Sequence, residues 1–92
     1  MFAAVQTWDL HLEGCQSLKD KRAILQSLKA ELRKLNVSVA EVDHQDLWQR
    51  AGLACGAVGS DRRVVEETLR GADQVIEAAD GVRIIDTVVT VT

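Results

Sequence analysis

Four β-prone segments interrupted by two amphipathic helical stripes predict an α+β sandwich of order βαββαβ for this chain. Three observations carry that prediction. Residues Phe2–Leu12 and Val37–Asp43 alternate apolar and polar positions with a period of two. Leucines after Ser17 and small apolar residues after Ser60 recur at spacings of three and four. Ala51–Gly59 and Val82–Thr92 are apolar or β-branched runs bounded by turn residues.

In the first strand, Phe2, Ala4, Trp8, Leu10 and Leu12 share one face, with Gln6 as the exception, and that face reads as core. Gly14 ends the strand. Ser17 supplies an N-cap, and Asp20 three residues on makes a short-armed capping box. Leu18, Leu25, Leu28, Leu32 and Leu35 then form the stripe of an amphipathic helix. Asn36 suits a left-handed terminal residue, after which Val37–Asp43 resumes alternation as strand 2. The small apolar residues of AGLACGAVG, Ala51–Gly59, suggest a central strand covered on both sides. Ser60 caps a second helix with Asp61 in its first turn and Val65, Leu69, Ala72, Ile76 and Ala79 as its buried stripe. Gly71 sits inside that helix at a cost of about 1 kcal/mol relative to Ala. Asp80-Gly81 ends it, and Val82–Thr92 is the final strand.

This order favours an antiparallel sheet in spatial order 4-1-3-2 with both helices on one face, a ferredoxin-like sandwich, a differently wrapped βαβ pair being the competing topology. Strands 1 and 3 are expected to run parallel at the centre. The whole span 1–92 is expected to be one domain, since a chain of this size buries too little surface to support two cores.

With one Phe, two Trp and no Tyr, the chain lacks stacking platforms for single-stranded nucleic acid. Charge is segregated along it: residues 1–35 carry a net +2 and residues 36–92 a net −5. The net −3 disfavours general nucleic-acid binding but leaves room for a local basic face on phosphate. The N-terminal stretch has neither a basic leader nor a long apolar core, so a cytoplasmic location is expected. Cys15 and Cys55, forty residues apart in unlike contexts, read as reduced thiols; no CxxC pair suggests structural zinc, and neither a metal nor a cofactor is expected.

Three groups of residues invite functional readings. If strands 1 and 3 are parallel, both helix N-termini emerge at one edge. Ser17 and Ser60, reinforced by Lys19, Lys21, Arg22, Arg62 and Arg63, would then form an anion site, unless the caps already satisfy those termini. The acidic, imidazole and aromatic residues Asp43, His44, Asp46, Trp48 and Arg50 lie between strands 2 and 3. They read as turn-closing groups, as a partner-recognition patch or as acid–base groups, and recognition ranks above catalysis because Trp and Arg are favoured at interface hot spots. In this topology they should stand roughly 20 Å from Asp9 and His11, at ~3.3 Å per residue. Finally, the sheet face presenting Ala3 and Val5, and a last strand with no Lys or Pro to block edge pairing, predict homodimerisation through face or edge.

Taken together, WDLHLEG at Trp8–Gly14, SLKDKR at Ser17–Arg22 and VSVAEVDHQDLWQRA at Val37–Ala51 resemble the YlxP-like family of small bacterial proteins. The resemblance implies a ferredoxin-like fold and a cytoplasmic bacterial protein, and it supplies no established reaction. Frequent proximity of such genes to those for translation-initiation and ribosome-maturation factors implies an accessory role in translation or small-subunit assembly. Glu13-Gly14-Cys15-Gln16 departs from the Pro-Gly-Ser-His type of loop common there, so no role depending on a histidine in this loop carries over.

Three functions remain open on these grounds. The first is a non-enzymatic module contacting the ribosomal small subunit or RNA, with Lys19, Lys21, Arg22, Lys29 and Arg33 on phosphate and Trp48 and Arg50 on protein. The second is a small phosphate-ligand binder or hydrolase at the paired helix N-termini, and the third a structural homo-oligomerisation module.

Overall fold

The computed structural model describes residues 1–92. Its elements follow the expected order: β1 (Phe2–Leu12), α1 (Leu18–Arg33), β2 (Ser38–Asp43), β3 (Arg50–Gly59), α2 (Arg62–Ala78) and β4 (Val82–Val91). They form one four-stranded antiparallel sheet ordered β2-β3-β1-β4. This is the ferredoxin-like α+β sandwich. No helix is long and apolar enough to cross a membrane.

Local chemistry sets the boundaries. The Ser17 hydroxyl accepts from the Asp20 N–H at 3.0 Å, and the Asp20 carboxylate accepts from the Gln16 N–H, so α1 starts in a reciprocal cap. Asn36 adopts φ +60° after α1, as its short polar side chain allows, and Gly81 adopts φ +75° after α2. The second helix is capped one residue later than expected. Asp61, not Ser60, is extended and accepts from the Arg63 N–H at 2.9 Å.

The even face of β1 packs under the helices. Ala4, Trp8, Leu10 and Leu12 join Leu25, Leu28 and Leu32 of α1, Ala51, Leu53, Cys55 and Ala57 of β3, and Val65, Leu69, Ala72 and Ile76 of α2 in one core. Phe2, the first residue of the strand, is exposed. Gln6 is the polar member of this face. It is buried, and its amide donates to the Thr87 hydroxyl, which itself donates to the Thr7 carbonyl across the β1–β4 pair. The Trp8 indole likewise donates to Asp73 of α2 at 2.9 Å, tying the central strand to the second helix. No buried side-chain nitrogen or oxygen lacks a partner.

One expectation is overturned. Phe2 lies opposite Gly59 and His11 opposite Arg50, so the central strands β1 and β3 are antiparallel. The chain reverses at each connection, whether a helix or a hairpin, and the crossover through α1 places β2, not β3, parallel to β1. The consequence is geometric: the end of β1 meets the start of β3. β3 is also covered on one face only, because Leu53, Cys55 and Ala57 lie under helices whereas Val58 on the alternate face is exposed.

Candidate functional site

Antiparallel central strands separate the helix N-termini. Ser17 follows the C-terminal end of β1 and Asp61 that of β3, so the two lie at opposite ends of the sheet, roughly 30 Å apart for nine residues of strand. The paired-terminus anion site is therefore not assembled. Ser17 is occupied as a cap, Ser60 is exposed outside the helix, and Arg62 and Arg63 pair with Glu66 and Glu67 along α2.

The same reversal assembles another group. Because the β2–β3 hairpin sits beside the end of β1, residues expected to be far apart converge on the open face of the sheet, where Asp9 lies opposite Gly52. Arg50 grips the Asp9 carboxylate with both arms, Nε to Oδ1 at 3.3 Å and Nη2 to Oδ2 at 2.5 Å. His44 Nε2 approaches the same Oδ1 at 3.2 Å and stands 3.7 Å from Asp43 Oδ2. Asp43 also accepts from the His44 N–H at 2.8 Å, which helps hold His44 at φ +56°.

Beneath this cluster is a residue that sequence reasoning placed in solvent. Lys21 is 3% exposed, and its ammonium donates to the carbonyls of His44 (2.6 Å) and Leu47 (2.7 Å). Those carbonyls belong to the loop between β2 and β3 and have no strand partner. A buried cation with fixed acceptors thus pins the loop from below while the Asp9–His44–Arg50 set pins it from above. Lys21 leaves the set of phosphate-contacting candidates, because its donors already face those carbonyls. Above the pinned backbone, Leu47 and Trp48 are about half exposed, and Asp46 is exposed beside them. Neither cysteine takes part in the cluster: both are free and buried, and burial pushes the Cys55 thiol up to about 11. No group of His, Cys, Asp and Glu side chains is disposed to hold a metal ion. The arrangement fixes loop shape and presents Trp48.

The other cations of α1 form a second feature. Lys19, Arg22 and Arg33 are exposed and make no ion pair, while Lys29 is half buried and stands 3.9 Å from Glu41 of β2. At 100° per residue all four fall within about 80° on the flank next to β2. Asp20 and Glu31, the only carboxylates of α1, project from the opposite flank, where Glu31 pairs with Lys34.

A ferredoxin-like sandwich with an ion-paired hairpin and a charge-segregated first helix defines a small α+β module. The chain belongs to the family described as Protein of unknown function (DUF503), whose model matches residues 4–89. It is 42% identical over 55 residues to the "Uncharacterized protein YlxP" of Bacillus subtilis (strain 168), an alignment covering 59% of this chain and about 60% of that protein. Two solved structures share the fold alone. The de novo designed protein Foldit4 matches with a TM-score of 0.58 at 11% identity over 100% of this chain and 97% of its own. A mutant of SnoaB, a cofactor-independent oxygenase from Streptomyces nogalater, matches with a TM-score of 0.56 at 8% identity, over 98% of this chain and 90% of its own.

Proposed function

We propose that this protein is a non-enzymatic recognition module that contacts RNA or the ribosomal small subunit in the bacterial cytoplasm through the outer flank of α1. The observation supporting this is the segregation on that helix: Lys19, Arg22, Lys29 and Arg33 on one flank, both carboxylates on the other. Lys19 to Arg33 spans about 21 Å at 1.5 Å rise per residue, enough to follow several successive phosphates. A stripe of this kind attracts a polyanion even though the molecule as a whole is mildly acidic, because screening over about 10 Å makes the local sign decide. The neighbouring loop, held by Lys21 and by Arg50 on Asp9, offers Trp48 as a rigid contact for a protein component of the same particle.

The test is co-sedimentation of tagged protein with ribosomal fractions over a salt series. With four phosphates neutralised, affinity should fall roughly 50-fold between about 50 and about 200 mM salt. The double reversal Arg22→Glu with Arg33→Glu should abolish binding and leave the melting temperature unchanged. Binding indifferent to salt, or retained by the double variant, removes the reading. Charge reversal at Lys21 is the wrong probe, since it would disrupt the fold.

A further inference from the structure

The face of the sheet opposite the helices carries no element of this chain, and its relief is specific. Val58 of β3, Val5 of β1 and Val88 of β4 are 73%, 47% and 56% exposed. Their register puts them on successive rungs: Val58 opposite Ala3, then Val5 itself, then Val88 opposite Thr7. They therefore form a diagonal ridge roughly 16 Å long, from strand spacing and rise. Beside it lies a hollow lined by Ala3, Val5, Ser38, Gly56 and Val58.

Gly56 in that hollow stands apart from the other glycines of the strands and turns. Gly14 and Gly81 have positive φ, and Gly52 and Gly59 have neighbours that a Cβ would crowd. At Gly56 φ is ordinary and an added Cβ meets nothing within 4 Å. A glycine in the middle of a central strand weakens it, so its place is explained by a group approaching from outside the chain.

We infer that a second copy of this chain stacks on the open face, setting its valine ridge into the hollow over Gly56 while receiving the reciprocal ridge itself. A two-fold axis lying between the faces makes this contact isologous, so one surface supplies both ridge and hollow. Nine residues from each of three strands and the six of β2, at about 4.8 Å by about 3.3 Å each, give a face near 520 Å², hence about 1,050 Å² buried by two copies. That reaches the lower end of specific interfaces and corresponds to a reversible dimer. Charge favours the same occupant. At the far end Arg50 and His44 flank the Asp9 carboxylate and Asp86, opposite Asp9, is exposed, while the valine half bears no ionised side chain that stacking would strand. The absence of cations there also sets this surface apart from the RNA-facing flank of α1.

Sedimentation equilibrium on the full chain tests it, with Gly56→Leu to fill the hollow and Val58→Asp to charge the ridge. The wild type should self-associate in the micromolar range and each variant should weaken association at least tenfold, with low-concentration melts and circular dichroism showing intact monomers. A Cβ at Gly56 meets nothing within 4 Å in the monomer, so loss of the dimer in a Gly56→Leu variant that melts normally when dilute reports the interface and not the fold. A wild type monomeric to high micromolar concentration overturns the inference. So does a dimer that survives both variants, or one broken only by Val89→Glu at the β4 edge.

Discussion

Between Leu18 and Leu25 the apolar stripe of α1 skips a turn, and Lys21 occupies it, four residues before Leu25 and seven before Leu28. That gap is the signal by which its burial was legible; read only as one cation among six near the N-terminus, the residue looks solvated. Its energetics differ accordingly. An exposed cation changed to a neutral residue alters stability by no more than about 0.5 kcal/mol. Lys21→Met strands the Leu47 carbonyl, leaves the His44 carbonyl with the Leu47 N–H alone, and should cost about 1–3 kcal/mol even after the ammonium's desolvation is relieved. Urea unfolding measures it, and a cost equal to that of Arg22→Met would show that the two bonds contribute nothing. Asp9 offered no comparable signal. Its meeting with His44 and Arg50 depends on a register between residues more than thirty positions apart, and alternation does not encode register with a distant strand.

The same limit operates on whole elements. Caps, leucine stripes and period-two runs placed all six, because each is a local pattern of side chains against backbone hydrogen bonding. Strand direction is not local, and it follows only from counting reversals of the chain, which is why an anion site built on parallel β1 and β3 fails. Within β3 the two glycines on the open face make a contrasting pair. A Cβ at Gly52 would lie 2.6 Å from the Asp43 Cβ, where β2 slips register by one residue, so Gly52 is what lets the hairpin close against Asp43. Gly52→Ala should therefore destabilise by about 1–3 kcal/mol from overpacking, whereas Gly56→Ala in dilute solution should be neutral or stabilising. Thermal melts of the two variants at low micromolar concentration decide; equal costs would mean that neither glycine is set by its neighbours.

Over the whole molecule, stability rests on one core of small aliphatic contacts, and a thiol inside it links that core to pH. Cys55 is raised from an ordinary 9.0 to about 11 because burial penalises the thiolate. Below pH 9 both states hold the proton and nothing changes. Above 9 the unfolded chain releases it while the folded chain keeps it, so stability falls until pH passes about 11, by on the order of 2 kcal/mol. Cys55→Ala should start from a lower plateau and show a shallower decline across that window in urea titrations; an unchanged slope assigns the alkaline loss to other groups. The fold also distributes its two indoles unequally. Trp8 is 1% exposed and bonded to Asp73, and Trp48 is half exposed on the pinned loop. Fluorescence from this chain is therefore two signals in one spectrum, a blue, quencher-shielded emission from the core and a red, accessible one from the loop. Unfolding moves the first and occupancy of the loop moves the second, so the protein reports its own integrity and its encounters separately, without a label.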